Sequence, residues 1–244
     1  MAVRSLRASF TLCGVLAATP LVSGCGAGAQ QPAEPSDMND DSRSRESDLS
    51  QVGVTAEVGA LPEAETGYAF KQSFKGIERC LTQASERIEF FGGEFAVKVL
   101  VNAQGKAEHI FAERTTLGDS RTEECMFDVL RSAPWPRPVG GLVGIAQNAF
   151  EFEMTGDVRS PIPWSQSNVQ STLDEKYGAI AGCKRGSAGI HATLYIDTDG
   201  HPLSVGIGGT EPSVEEARPC LVRVLKGATF PSPGSWPAKV TVQL

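Results

Sequence analysis

The sequence lies on itself twice, and that constrains the fold more than any other feature. At an offset of 95, Phe95-Ala96-Val97-Lys98-Val99-Leu100-Val101 falls on Ile190-His191-Ala192-Thr193-Leu194-Tyr195-Ile196, with the apolar residues on the same period-two face. Without a change of offset, Gly105 falls on Gly200, Cys125 on Cys220, Val129 and Leu130 on Val224 and Leu225, and Pro136 and Pro138 on Pro231 and Pro233. An offset of 103 superposes Phe70, Phe74, Ile77 and Cys80 on Leu173, Tyr177, Ile180 and Cys183. Self-similarity of this kind means two copies of one unit. The change of offset leaves the second copy eight residues shorter between its first helix and first strand. A connection that tolerates such a deletion carries no function common to both copies.

Each copy reads as helix, two strands, helix, strand, which makes the chain α+β with two tandem αββαβ modules. The spacings of four and three in Phe70, Phe74, Ile77, Cys80 and their equivalents mark one face of a helix. Asn102-Ala103-Gln104-Gly105 and Asp197-Thr198-Asp199-Gly200 form the hairpin turns, with glycine supplying the positive φ. Ser120-Arg121-Thr122-Glu123 fits a capping box opening the next helix, whose buried face is Cys125, Met126, Val129 and Leu130. Ser213 to Glu216 is similar, but Pro219 predicts a helix shortened or kinked there, with the proline near its first turn. The closing strands alternate: Phe150, Phe152 and Met154, then Val240, Val242 and Leu244.

Four cysteines sit at equivalent positions, two per copy, and the repeat pairs Cys80 with Cys125 and Cys183 with Cys220. Small modules with thin cores need such cross-links. The rival is a four-cysteine zinc site, but structural zinc ligands come as close pairs such as C-x-x-C, and this chain has none. No metal and no cofactor is expected.

The amino terminus sets the compartment. Arg4 and Arg7 precede an apolar stretch from Phe10 to Val22, interrupted by Pro20 and ending in Ser23 and Gly24 before Cys25. This is a signal-peptide layout over 1–24, too short for the ~20 apolar residues of a membrane span. Leu21-Val22-Ser23-Gly24-Cys25 resembles the lipobox of bacterial lipoproteins, in which the cysteine is diacylated and becomes the new amino terminus. The resemblance implies lipidation of Cys25 and stable anchoring on the periplasmic face of the cell envelope, since two or more chains hold where one does not. Gly26 stands where inner-membrane retention calls for Asp, which favours the outer membrane. Ordinary cleavage near Gly24 is the alternative.

Without the leader the formal charge is −9, from 20 basic and 29 acidic side chains. Gly26 to Thr66 holds nine of the acids against Arg43 and Arg45, with few large apolar residues. Such a stretch cannot bury enough surface to offset the entropy of ordering, so 25–66 reads as the lipidated cysteine and a disordered acidic tether. A coil of 41 residues holds the folded part of the chain roughly 35 Å from its anchor. The modules then occupy 67–157 and 169–244, with a proline-containing linker at 158–168. The near-neutral remainder offers no basic groove, so nucleic acid is not a partner.

The sequence shows no catalytic constellation. The three histidines lack metal-ligand spacing, and His191 falls on the strand face opposite the core, as a solvated side chain. Gly206-Ile207-Gly208-Gly209 lacks the Lys-Ser/Thr ending of a phosphate loop and reads as a strand end and loop. Glu123-Glu124 and Glu215-Glu216 read as helix-start acids placed for the dipole. The Pro-aromatic runs, Ala133-Pro134-Trp135-Pro136-Arg137-Pro138 and Thr229-Phe230-Pro231-Ser232-Pro233 with Trp236 behind, offer two readings. Trp135, Pro136, Phe230, Pro231 and Trp236 form a partner-binding ledge, or one ring packs under the hairpin while the prolines stiffen the run.

The order of helix with Cys, hairpin around a turn glycine, helix with Cys, aromatic-Pro and strand resembles the carboxy-terminal domain of TonB-type proteins. It is most similar to the cysteine-paired variant of exported proteins and lipoproteins of gliding, predatory soil bacteria. The resemblance covers Phe70 to Met154 and Leu173 to Leu244. It implies a module that engages partners by strand addition at an exposed sheet edge. It brings no catalytic residues, and the uncleaved membrane helix and Pro-Lys/Glu spacer of true energy transducers are missing. The expectation is a non-enzymatic, lipid-anchored envelope protein that binds another envelope protein, as a scaffold or as a motility or transport accessory. A small-ligand or cell-wall glycan binding lipoprotein is the alternative, and an enzyme with a site shared between modules the third.

Overall fold

The structure, a computed structural model, describes residues 57–153 and 156–244. The leader, the lipobox with Cys25, Met154 and most of the tether lie outside the described residues. The first half runs β1 (Val58–Gly59), α1 (Glu63–Ser85), β2 (Gly93–Asn102), β3 (Ala107–Thr115), α2 (Ser120–Arg131) and β4 (Val143–Phe152). The second runs β5 (Ile162–Trp164), a 3₁₀ turn (Gln166–Asn168), α3 (Gln170–Glu175), α4 (Tyr177–Lys184), β6 (Ile190–Ile196), β7 (Pro202–Gly209), α5 (Val214–Lys226) and β8 (Ala238–Gln243). Each half builds a four-stranded sheet, ordered β1-β4-β2-β3 and β5-β8-β6-β7. The short first strands pair in parallel with β4 and β8, and all other pairs are antiparallel.

Both hairpins turn on glycines at positive φ, 76° at Gly105 and 85° at Gly200. The same glycines let the Pro-aromatic run cross the turn. A Cβ on Gly105 would lie 2.8 Å from the Trp135 carbonyl oxygen, and one on Gly200 would overlap the Phe230 carbonyl. The Phe230 N–H donates to the Gly200 carbonyl at 2.9 Å. The repeat of turn glycine and aromatic-Pro is therefore one structural unit.

Disulfides Cys80–Cys125 and Cys183–Cys220, with Cα atoms 5.9 and 5.5 Å apart, join α1 to α2 and α4 to α5. In the first half the helices approach closely: a Cβ on Gly76 would meet the Val129 side chain at 2.6 Å. Phe70, Ile77, Cys80 and Leu81 of α1 are buried with Met126, Phe127 and Leu130 of α2 over Phe95, Val97, Val99 and Val101 of β2. The second core places Leu173, Ile180, Leu221 and Leu225 over Leu194, Val205, Ile207 and Val240.

Several expectations need correction. Each αββαβ unit gains a short strand in front. The segment expected as linker supplies β5, with Ile162, Pro163 and Trp164 opposite Ala238, Lys239 and Val240, because prolines are tolerated on an edge strand. Likewise β1 and the start of α1 reach back into the stretch assigned to the tether. The second copy's first helix is broken at Lys176, and the break turns Tyr177 out of the buried face to 73% exposure. The capping box does not form: Asp119 is the N-cap residue without a side-chain cap bond, and Glu123 turns elsewhere. Nor is α5 shortened; it runs through Pro219. Buried Ala217, Leu221 and Leu225 offset the roughly 3 kcal/mol of an interior proline.

Candidate functional site

The outer strands β3 and β7 do not pair as strands, yet they face each other across a seam between the modules. Side chains of the opposite module take up their edge groups. Glu123, at the start of α2 and with no exposed surface, accepts the Ile207 N–H at 3.1 Å and the Thr115 hydroxyl at 2.8 Å. Glu215 of α5 accepts the Ile110 N–H at 2.6 Å and lies 2.9 Å from His109 Nδ1. His191 Nε2 accepts the Thr115 N–H at 3.1 Å, and the Thr193 hydroxyl donates to the Thr115 carbonyl at 3.0 Å. An edge N–H buried without a partner is costly, so these acceptors let two sheet edges be buried against one another.

The glycines of β7 make this approach possible. A Cβ on Gly206 would overlap Glu123 and sit 2.9 Å from the Gly118 Cα, and one on Gly208 would sit 3.0 Å from the Ala112 carbonyl and 2.5 Å from His191 Nε2. The stretch expected as a strand end and loop is thus the interior of a strand, kept bare for contact. Side chains are also exchanged: Phe111 of β3 packs in the second core and Tyr195 of β6 in the first. All seven residues of β6 are buried, so His191, expected in solvent, is buried because its face is covered by the other module.

Electrostatics follow from this burial. It pushes the Glu123 carboxyl up to about 7, opposed by its bonds from Thr115 and Ile207 and by nearby Arg218. Burial, and then the charge of Arg114, holds the His191 imidazole below its ordinary value. Arg218 lies 4.2 Å over the Phe127 ring, and burial lowers its pKa against the pull of Glu123 and Glu215. The longer connection of the first copy completes the seam. The Gly92 carbonyl accepts the Tyr195 hydroxyl at 3.1 Å and the Lys239 ammonium at 2.6 Å, while Phe90 packs 5.5 Å from Tyr195 and 5.9 Å from Trp236.

The ledge expectation is corrected in part. Trp135 is buried; its indole N–H donates to the Leu130 carbonyl at 2.8 Å, and its ring meets Phe70 edge-on at 4.9 Å. Pro136 and Phe230 are buried too, so three of the five residues have no face to offer. Pro231 is exposed. Trp236 is half-buried, donating to the Ser160 carbonyl at 3.1 Å with the Arg159 guanidinium 5.2 Å from its ring. Hydrophobic rings fill the space beneath the run that crosses each hairpin.

Among the described residues the β4 edge stays largely open. β1 covers only Val143 and Gly144 of β4; Ile145–Phe152 have β2 on one side and, among the described residues, no strand on the other. The Ala149 N–H is taken by the Asn148 side chain at 2.9 Å. Phe74 of α1, partly buried, stands edge-on to Phe150 at 5.9 Å. Ile145 is 44% exposed, with Val58, Val139 and Leu142 also exposed. The equivalent edge of β8 is better covered: β5 pairs with Ala238 to Val240, and the Gln243 N–H goes to the Gln166 side chain at 3.2 Å.

No protein-family model, curated protein or solved structure matches the chain. Among the described residues no three His, Cys, Asp or Glu side chains converge as metal ligands, and no helix is long and apolar enough to cross a membrane. Sequence reasoning missed Glu123, Glu215, His191 and Lys239 as seam residues. The glycines inside β7 were the available signal, since a glycine within a strand marks close backbone approach.

Proposed function

We propose that this chain is a non-enzymatic lipoprotein, held through Cys25 at the periplasmic face of the envelope, that binds an envelope protein by strand addition. The observation supporting this is the open edge of β4 from Ile145 to Phe152 beside the Phe74 flank of α1. An unpaired edge offers main-chain donors and acceptors in register, and an adjoining apolar flank can select alternate side chains of an added strand. The buried seam supports the same reading from the other side. With β3 and β7 closed against each other, β4 carries the longest uncovered edge among the described residues. The TonB-like resemblance of the repeat agrees with that mode of binding. The glycan-ledge reading is weaker, because the rings of Trp135 and Phe230 are buried.

The test is in-cell photo-crosslinking from Gln147 and, separately, from Ala149, in the otherwise unaltered chain and in Cys25→Ala. Proline at an edge residue leaves the fold intact only where its N–H is not needed by the neighbouring strand. The Ala149 N–H bonds a side chain instead, so Ala149→Pro is run from the Gln147 probe. One envelope protein captured from both positions and lost in Ala149→Pro and Cys25→Ala is the expected result. Capture that persists in Ala149→Pro, or none at all, would overturn it.

A further inference from the structure

A cleft of about 930 Å³ opens where the modules meet beyond the seam, and Lys239 of β8 lines it with Phe90, Glu94, Glu151, Phe152 and Trp164. The Lys239 ammonium is fixed by the Gly92 carbonyl at 2.6 Å and by the Tyr195 ring, whose centroid is 4.9 Å away. Among the described residues it has no carboxylate at ion-pair distance. A half-buried cation without an acid beside it is an unfavourable arrangement, and desolvation of this kind shifts a lysine toward its free amine. We propose that Lys239 is a carbonyl-capture site, whose amine condenses with a neutral aldehyde or ketone carrying an apolar body.

The chemistry needs only the amine and the ligand. The nitrogen lone pair adds to the carbonyl carbon to give a carbinolamine. Loss of the former carbonyl oxygen as water, with two protons that come from the amine, leaves a C=N bond between Lys239 and the ligand. A desolvated lysine is a recognised way to activate this nucleophile. Burial alone brings the Lys239 amine down to about 8, which supports the placement. The walls select the ligand class. Phe90, Phe152 and Trp164 suit an apolar body, whereas Glu151 and Glu153 would repel an anion, Glu94 being paired with Arg114. The cleft shares Glu151 and Phe152 with the end of the open β4 edge, but the reacting amine belongs to β8 and its labelling is read with no strand bound.

The test treats the full chain with benzaldehyde, or with glyoxylate as an anionic counterpart, under cyanoborohydride, and maps the reduced adducts by peptide mass spectrometry. At pH 7.5 Lys239 is expected to label about tenfold or more faster than the exposed Lys71, Lys75 and Lys106, with a rate that rises to a midpoint near 8. Glyoxylate is expected not to share that preference. Lys239→Arg should remove the fast adduct while keeping the cation against Gly92 and Tyr195. Labelling of Lys239 no faster than the exposed lysines would overturn the proposal, and equal preference for glyoxylate would overturn the ligand class. Because the comparison is made residue by residue within one unaltered chain, it decides the matter even if Lys239→Arg does not fold.

Discussion

The Glu123 carboxylate accepts the Ile207 backbone N–H at 3.1 Å, so an acid from the start of one module's helix closes the outer strand of the other. With its pKa at about 7 rather than 4.5, Glu123 binds more protons in the native state than in the unfolded state between those values. Its contribution to stability is therefore largest below pH 4.5 and falls as pH rises through about 7. Buried His191 works in the opposite direction, losing stability as pH falls below its ordinary range. Glu123→Gln copies the protonated acid, with an oxygen for Ile207 and an N–H for Thr115. Urea midpoints of both proteins at pH 5 to 8 should show the wild type losing stability relative to Glu123→Gln by on the order of 3 kcal/mol. Parallel curves would contradict this.

Gly208→Ala should destabilise the whole molecule by about 1 to 3 kcal/mol, because the added Cβ meets the Ala112 backbone carbonyl and His191 across the seam. Gly182→Ala, with open space around it, is the control and should be neutral or slightly stabilising, since alanine favours a helix. Thermal melts of the two variants measure the difference. Equal melting temperatures would mean that the seam yields without cost.

Removing one disulfide, as in Cys80→Ala with Cys125→Ala, should cost about 4 kcal/mol on loop-entropy grounds. The sequence separations are 45 and 37 residues, similar enough that the Cys183 and Cys220 pair should cost nearly the same. Denaturant unfolding with and without reductant checks both. A loss confined to the first pair would show that the second bond is not needed by its module.

Trp135→Ala should lower stability by about 3 to 5 kcal/mol, because the ring lies in the core against Phe70 and its N–H has a buried acceptor. Pro231→Ala, at an exposed residue, should change stability by less than about 0.5 kcal/mol. Chemical denaturation of each distinguishes a packing role from a surface ledge. A stable Trp135→Ala protein would restore the ledge.

What the sequence determined by itself was local and repeated. Period-two apolar runs made β2 and β6, turn glycines placed the hairpins, and equivalent cysteines paired within each copy, because these depend on neighbours along the chain and on one buried face. The short strands β1 and β5 were hidden, since two or three residues carry no periodicity. The roles of Glu123, Glu215, His191 and Lys239 belonged to the tertiary structure. Each side chain answers a group far away in sequence, such as Ile207 for Glu123 or Gly92 for Lys239. Only the packing of one module on the other turns a solvent face of β6 into an interior and gives a helix-start acid a strand edge to close. An amphipathic pattern states that a face meets water or a core. It does not state that a second sheet will arrive to cover the other one.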